Sequence, residues 1–324
     1  MTSTGPSSLG VRTVGAVGPT PTHDTQPVRR KAALLGRSPQ DTAASPWNYV
    51  FLVVAILASA FPIYWMFVVA TGTDADLSRP AYMGLVPGDN FMHNVGVVLG
   101  NVAEQGRSYD NARFADSFVN SILVTVIVTA SLLFFCSLAG FAFAKLRFKG
   151  RDALMVIVVL TLTIPNQLGI VALYIIISKL GWQGQLISVI VPGLVSAFGV
   201  FYMRQFIEDS IPDELIESAR VDGASTFRVY WNIVIPIIRP ALGVLGLLTA
   251  VGTWNEFQWA LIALGSGSPN KTIGVALSDL ASGNYVKYRI VLAGSFLATV
   301  PLILLLFVAG KQIVRGIMEG AVKA

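Results

Sequence analysis

The side chains able to do chemistry in this chain are few, and they fall in two places. One is a polar stretch at 214–240, ELIESARVDGASTFRVYWNIVIPIIRP. Within it Glu217, Arg220, Asp222 and Arg228 alternate with Leu215, Ile216, Ala219, Ala224, Phe227 and Tyr230. The spacing of three and four predicts short helices with one apolar face. Gly223 interrupts them and permits a tight turn; Pro236 and Pro240 are expected to close the stretch before the next apolar run. The second place lies within long apolar runs, with Asn166 and Gln167 in one and Trp254, Asn255 and Glu256 in another. Amides, a carboxylate and an indole can hydrogen-bond to or stack on a sugar ring, and the same groups can serve packing or gating between helices.

Neither place reads as a catalytic centre. No GxxxxGK[ST], HExxH or GxSxG arrangement occurs. The only histidines, His23 and His93, lie outside the apolar runs, and the single cysteine, Cys136, lies within one. That excludes a disulfide framework and a thiolate metal cluster. The net charge of +5 comes from basic residues beside apolar blocks rather than from an aromatic-rich basic platform, so nucleic acid is not an expected partner. A non-enzymatic chain with no cofactor of its own is expected.

The elements that must position these groups follow from composition. Of 324 residues 54% are hydrophobic and 13% charged, and the mean hydropathy is +0.66. The apolar residues come in blocks close to the ~20 needed to cross a bilayer as a helix. An all-α polytopic membrane protein is predicted, with six spans near 49–70, 117–144, 153–178, 186–206, 240–264 and 290–309. Pro62, Pro192 and Gly199, the Ile164-Pro165-Asn166-Gln167 interruption and the small residues Ser137-Leu138-Ala139-Gly140 mark expected bends or close helix contacts. Residues 1–46, rich in Pro, Gly, Ser and Thr with a basic patch at 29–37, read as a disordered tail; 47–310 form the membrane domain and 311–324 a second tail. With both termini cytoplasmic, 16 of the 23 Lys and Arg residues fall inside and 7 outside, the positive-inside pattern.

The residues at 217–236 carry a family resemblance. Glu217-Ser218-Ala219, Gly223 and the following Ile233, Ile235 and Pro236 resemble the EAA motif of ABC importer permeases, with Ser218 for the usual alanine and Ile235 for the usual leucine. DELIESARVDGAS followed by IVIPIIRPAL is most similar to the maltose-type carbohydrate class. The runs at 120–154, 164–182, 201–207, 254–262 and 320–324 extend the resemblance over roughly 50–324, weakly at 72–116.

This resemblance implies a type I ABC importer permease fold in a bacterial plasma membrane. It implies a second homologous permease subunit, two copies of a cytoplasmic ABC ATPase that hold the ATP and Mg, and an extracellular or lipid-anchored sugar-binding protein. Residues 208–240 become a coupling loop, with Glu217 and Gly223 as contact and turn residues and Ser218, Ala219, Asp222, Ala224, Ser225 and Pro236 around them. The implied cargo is carbohydrate, a disaccharide or short oligosaccharide such as maltose or trehalose. Glycerol-3-phosphate or a related phosphodiester is the alternative, because those permeases also resemble the sequence. A secondary transporter or channel would call for ion-coupling acids in mid-span or duplicated halves, and neither is evident.

Overall fold

Hydrocarbon offers a peptide group no partner, so an apolar block inside it satisfies its own backbone as a helix. A computed structural model describes residues 45–78, 84–104, 109, 112–282 and 286–322, and among them it contains no β-strand. The predicted tail, with its basic patch and His23, lies outside the described residues. The chain divides into two units, Met1–Leu57 and Ala58–Ala324. In the first, helix α1 (Pro46–Ala70) begins with exposed side chains and continues unbroken through Pro62.

The second unit carries the rest. After α1 come two short helices, α2 (Asp74–Leu77) and α3 (Phe91–Val98), and then the long α4 (Phe114–Lys145). Helices α5 (Arg151–Leu162) and α6 (Ile170–Lys179) form one broken span bent by 91°. The next span, Ile187–Ser210, comprises α7 (Ile187–Ile190), a 3-10 turn at Pro192, and α8 (Ala197–Ser210). Then follow α9 (Asp213–Val221), α10 (Thr226–Val229), α11 (Ile235–Trp254), α12 (Gln258–Leu264), α13 (Ile273–Leu280) and α14 (Tyr288–Val322). Among the described residues five helices are long and apolar enough to cross a membrane, or six with the bent pair counted as one span.

Two boundaries differ from expectation. The fifth span runs over Thr226–Trp254, not 240–264. Pro236 and Pro240 lie within it rather than closing the polar stretch. A proline needs the carbonyl four residues earlier moved aside, and just before Pro236 the helix widens: Ile235 N–H reaches Tyr230 O in an i−5 turn over Tyr230–Val234. The last helix also continues to Val322, although its apolar part, Tyr288–Val308, ends where the expected sixth span does.

Around α4 the small residues act as expected. A Cβ on Gly140 would lie 2.7 Å from Met203 Cβ and 2.8 Å from Arg204 N, so glycine lets α4 and α8 touch backbone to backbone. Gly199 meets the Cys136 sulfur in the same way. Met203, Ile207, Val234, Ile238, Phe141 and Tyr230 form the core of this bundle.

At the other end of the bundle the structure adds something the sequence did not suggest. Arg289 Nε donates to Asp74 Oδ1 at 2.7 Å, and its Nη2 lies 2.9 Å from Glu104 Oε1. Lys287 Nζ sits 2.6 Å from Glu104 and 3.2 Å from Asp74. Arg289 Nη1 also donates to Asn94, whose own amide donates to Ala70 O and Gly72 O, carbonyls at the end of α1. His93, half exposed, lies 3.7 Å from Glu104. Hydrogen bonds from Arg289 and Lys287 hold the Asp74 carboxyl below its ordinary 3.8. For Glu104 burial works upward, but the bonds from Lys287 and Arg289 prevail and hold it below 4.5. The bond to Glu104 raises Lys287 above 10.5.

The carboxylates therefore stabilise the fold above their unfolded values, a contribution lost only as pH falls through their lower folded values. Lys287 contributes below 10.5 and loses that as pH rises through its raised value. Asp74, Glu104 and Lys287 are expected to contribute no change in the unfolding midpoint in detergent between about pH 5 and pH 10. Glu104→Gln, which leaves buried Arg289 short of a partner, is expected to cost about 3 kcal/mol. Asp74→Asn should cost less, because that side chain is 48% exposed.

Candidate functional site

The polar stretch forms a knuckle between α8 and α11. Helix α9 starts at the end of α8 with two acids, Asp213 and Glu214, in its first turn, where the helix dipole favours them. Ile216 is buried, and Ala219 and Ala224 pack on the same core. The opposite face carries Glu217, Ser218, Arg220 and Asp222, all exposed. Gly223 closes α9 at φ +80°, its N–H bonding Arg220 O while Ala224 N–H bonds Ala219 O. A Cβ there would meet nothing within 4 Å, so backbone handedness alone demands glycine. Ser225 then caps α10, its Oγ accepting from Arg228 N–H.

The knuckle is held from below at two points. Lys145, at the end of α4, reaches Asp213 at 2.6 Å and pulls that exposed carboxyl below its ordinary value. Tyr230 is 1% exposed and its hydroxyl lies 2.8 Å from Ser137 Oγ in α4. Beside these polar groups the outward side also shows large apolar ones: Val221 is 88% exposed, and Phe227 and Trp231 stack in the open at 6.2 Å. No ion pair within 4 Å joins Glu217 or Asp222 to Arg220 or Arg228 among the described residues, so their acids and bases are left facing outward.

A second feature lies deeper in the bundle. Three interruptions of helix line one cavity of about 1030 Å³. The α5–α6 break supplies Ile164, Pro165 and Gln167; the α7–α8 break supplies Pro192, Gly193, Val195 and Ser196; the α11–α12 break supplies Glu256. Pro165 and Pro192 lack an N–H to leave unpaired. Ser196 Oγ accepts from Gly199 N–H, and Glu256 Oε1 accepts from Trp259 N–H at 2.8 Å, so two of the helix starts are capped by their own chain. Irregular backbone at membrane depth is tolerated where it borders such a cavity. Thr161, Thr249, Thr253, Gln258 and Trp259 add polar groups and an indole, whose Nε1 is fixed on Ser188 O.

Of the residues singled out in the sequence, Gln167 and Glu256 line this cavity. The side chain of Asn166 lies outside what the structure describes. Trp254 is elsewhere: it is 7% exposed, its Nε1 donates to Ala298 O at 3.1 Å and its ring meets Phe118 edge-on. Asn255 turns back to Val251 O and is not part of the lining. Trp259 was missed: it lies on the helix that resumes after the break, where its N–H is held by Glu256. Among the described residues no group of three His, Cys, Asp or Glu could hold a metal.

Residues 136–318 match the family described as binding-protein-dependent transport system inner membrane component. The chain is 31% identical over 280 residues to the lactose transport system permease protein LacG of Rhizobium radiobacter, covering 85% of this chain and 95% of that one. It is 28% identical over 274 residues to the sn-glycerol-3-phosphate transport system permease protein UgpE of Pectobacterium atrosepticum, covering 84% and 95%. A solved bacterial ABC transporter involved in the import of the acidic polysaccharide alginate shares the fold, with a TM-score of 0.68 at 24% identity over 85% of this chain and 98% of that one.

Gly223→Ala is expected to destabilise the α9 turn by about 1 kcal/mol, read as faster hydrogen exchange confined to α9 and α10. Gly252→Ala, a helical position where a Cβ also meets nothing, should leave that exchange unchanged.

Proposed function

Since the chain belongs to the family of binding-protein-dependent transport system inner membrane components, we propose that it forms one half of the membrane pathway of a carbohydrate ABC importer. ATP and Mg are held by two copies of a cytoplasmic ATPase. A second permease subunit completes the pathway, and an extracellular or lipid-anchored binding protein delivers the sugar. Both termini face the cytoplasm, with 1–46 as a tail, 47–310 as the membrane domain and 311–324 as a second tail. The knuckle at 208–240 docks an ATPase subunit, with Val221, Phe227 and Trp231 supplying apolar contact. Glu217, Ser218, Asp222 and Ser225 supply polar contact, and Ala219, Gly223, Ala224 and Pro236 its shape.

The observation that carries the cargo assignment is the charge of the cavity. Among its described lining residues Glu256 alone is ionisable, and there is no Lys, Arg or His. Two like charges about 6 Å apart at an effective dielectric near 20 repel by about 3 kcal/mol. Phosphates and uronates therefore enter this half at a disadvantage, whereas a neutral sugar meets amides, hydroxyls and the Trp259 indole. The volume is at the upper end of ordinary ligand sites, which suits a disaccharide or short oligosaccharide, maltose and trehalose among them. The likeness to the glycerol-3-phosphate permease supports a second reading, in which the partner subunit supplies the cations this cavity lacks.

The test is ATPase turnover in proteoliposomes holding both permeases, the ATPase and the binding protein. Neutral disaccharides should stimulate turnover and glycerol-3-phosphate should not; equal stimulation by both would sink the neutral-cargo reading. Trp259→Ala is expected to reduce sugar uptake about tenfold, in keeping with a stacking contact of 1–2 kcal/mol. Gly223→Ala should lower stimulated turnover with each purified subunit still folded.

A further inference from the structure

Beside the knuckle, between α4, α5 and α8, lies a groove of about 310 Å³ that the transport reading does not use. Its walls are Phe143, Met155, Val156, Val159 and Leu160, and Arg151, Asp152 and Arg204 stand at one end. A second depression, of about 410 Å³, shares Arg151 and Asp152 and adds Arg147 and Phe148. From these observations we propose that the groove holds one anionic glycerophospholipid of the surrounding leaflet. Its phosphate lies against Arg147 and Arg151, which line the second depression, with Lys149 between them in the chain, and one acyl chain lies along α5.

Charge complementarity selects the headgroup. Around this end Lys145, Arg147, Lys149, Arg151 and Arg204 are cations, while Asp152, Glu208 and Asp213 are anions. The three anions are taken up within the protein: Asp213 by Lys145 at 2.6 Å, Glu208 by Arg204 at 2.9 Å and Asp152 by Arg151 at 3.2 Å. Arg147 and Lys149 are exposed and have no ion pair within 4 Å among the described residues. A basic site between helices at the membrane surface suits an anionic headgroup.

Shape selects a lipid over a soluble anion. From Arg151 to Leu160 the α5 wall extends about 13 Å at 1.5 Å per residue, close to half of a hydrocarbon core about 30 Å thick. The cations thus sit at one mouth of an apolar slot that runs as deep as one leaflet. The proposal relies on the permease reading only for which leaflet this is. Lipid retention is measured without transport, so either can fail alone.

The test is native mass spectrometry of the full-length chain, with whatever subunits remain bound, exchanged from phosphatidylglycerol or phosphatidylcholine nanodiscs. Wild type is expected to keep one phosphatidylglycerol and to exchange phosphatidylcholine freely. Arg147→Gln with Lys149→Gln and Arg151→Gln should reduce retained phosphatidylglycerol about tenfold. Val156→Trp, at a position 57% exposed, should do so by filling the slot with the cations intact. Lys179→Gln, at the far end of the broken span, should retain the lipid. Unchanged retention in both groove variants would overturn the proposal. So would a photo-crosslinking amino acid at Val156 that captures a neighbouring protein subunit and no lipid.

Discussion

A peptide group inside hydrocarbon must find its hydrogen bond within the protein, and much of this structure follows from that constraint. It makes the spans helical. It also makes every departure from helix costly unless a side chain, a proline or a wet cavity removes the orphaned donor. The three departures seen here use all of these means: Pro165 and Pro192 have no donor to orphan, Ser196 and Glu256 cap the helices that resume, and all the breaks open on one space. The cavity and the breaks are therefore a single feature. Straightening any one helix would shrink the space, and filling the space would strand its backbone.

Closing the bundle around that feature falls to contacts of two kinds. Toward the knuckle the helices meet through glycine and small side chains, with Gly140 against Met203 and Gly199 against Cys136. One buried hydroxyl pair, Ser137 with Tyr230, is added to the apolar packing. At the opposite end the fastening is ionic. Asp74, Glu104, Lys287 and Arg289 satisfy one another, and Asn94 ties them to the last carbonyls of α1. The difference suits the chemistry of the two places. Inside the bundle a charge would be expensive to desolvate, whereas at the membrane surface a network that shares four charges retains its Coulomb gain.

The spans were legible because hydropathy reads them almost directly, and the breaks were legible at Pro165 and Pro192 because proline states its own geometry. Gly223 was legible for a related reason, since only its φ matters there and no distant contact is involved. The start of the fifth span was misjudged. Pro236 and Pro240 look like terminators, and the wide turn at Tyr230–Val234 that accommodates them depends on Tyr230 finding Ser137, 93 residues earlier. Trp254 was grouped with Asn255 and Glu256 by proximity in sequence, and Trp259 was passed over. Five residues of rotation across a helix break send one indole to Ala298 O and the other to the cavity wall. The ion cluster was invisible because its members come from segments separated by about 200 residues, and periodicity says nothing about such pairs.

In the coupling role proposed for the knuckle, its stiffness is the property that matters. A push on α9 reaches the cavity only if nothing between them yields. The wide turn at Tyr230–Val234 is the obvious place to yield, since it has lost the ordinary hydrogen-bond register. Its outward side chains, Trp231 and Asn232, are exposed, but its inward ones are fully enclosed, with Tyr230 at 1% and Val234 at 0% exposure and Ile238 at 0% one turn further on. Close packing transmits displacement because its alternative is a void or a clash, so the register defect is splinted by the core around it. Beyond the splint α11 runs unbroken past Thr249, Gly252 and Thr253 on the cavity wall and stops at Trp254, two residues before Glu256. Deformation then concentrates at the helix breaks that border the cavity, where fewest backbone bonds resist it.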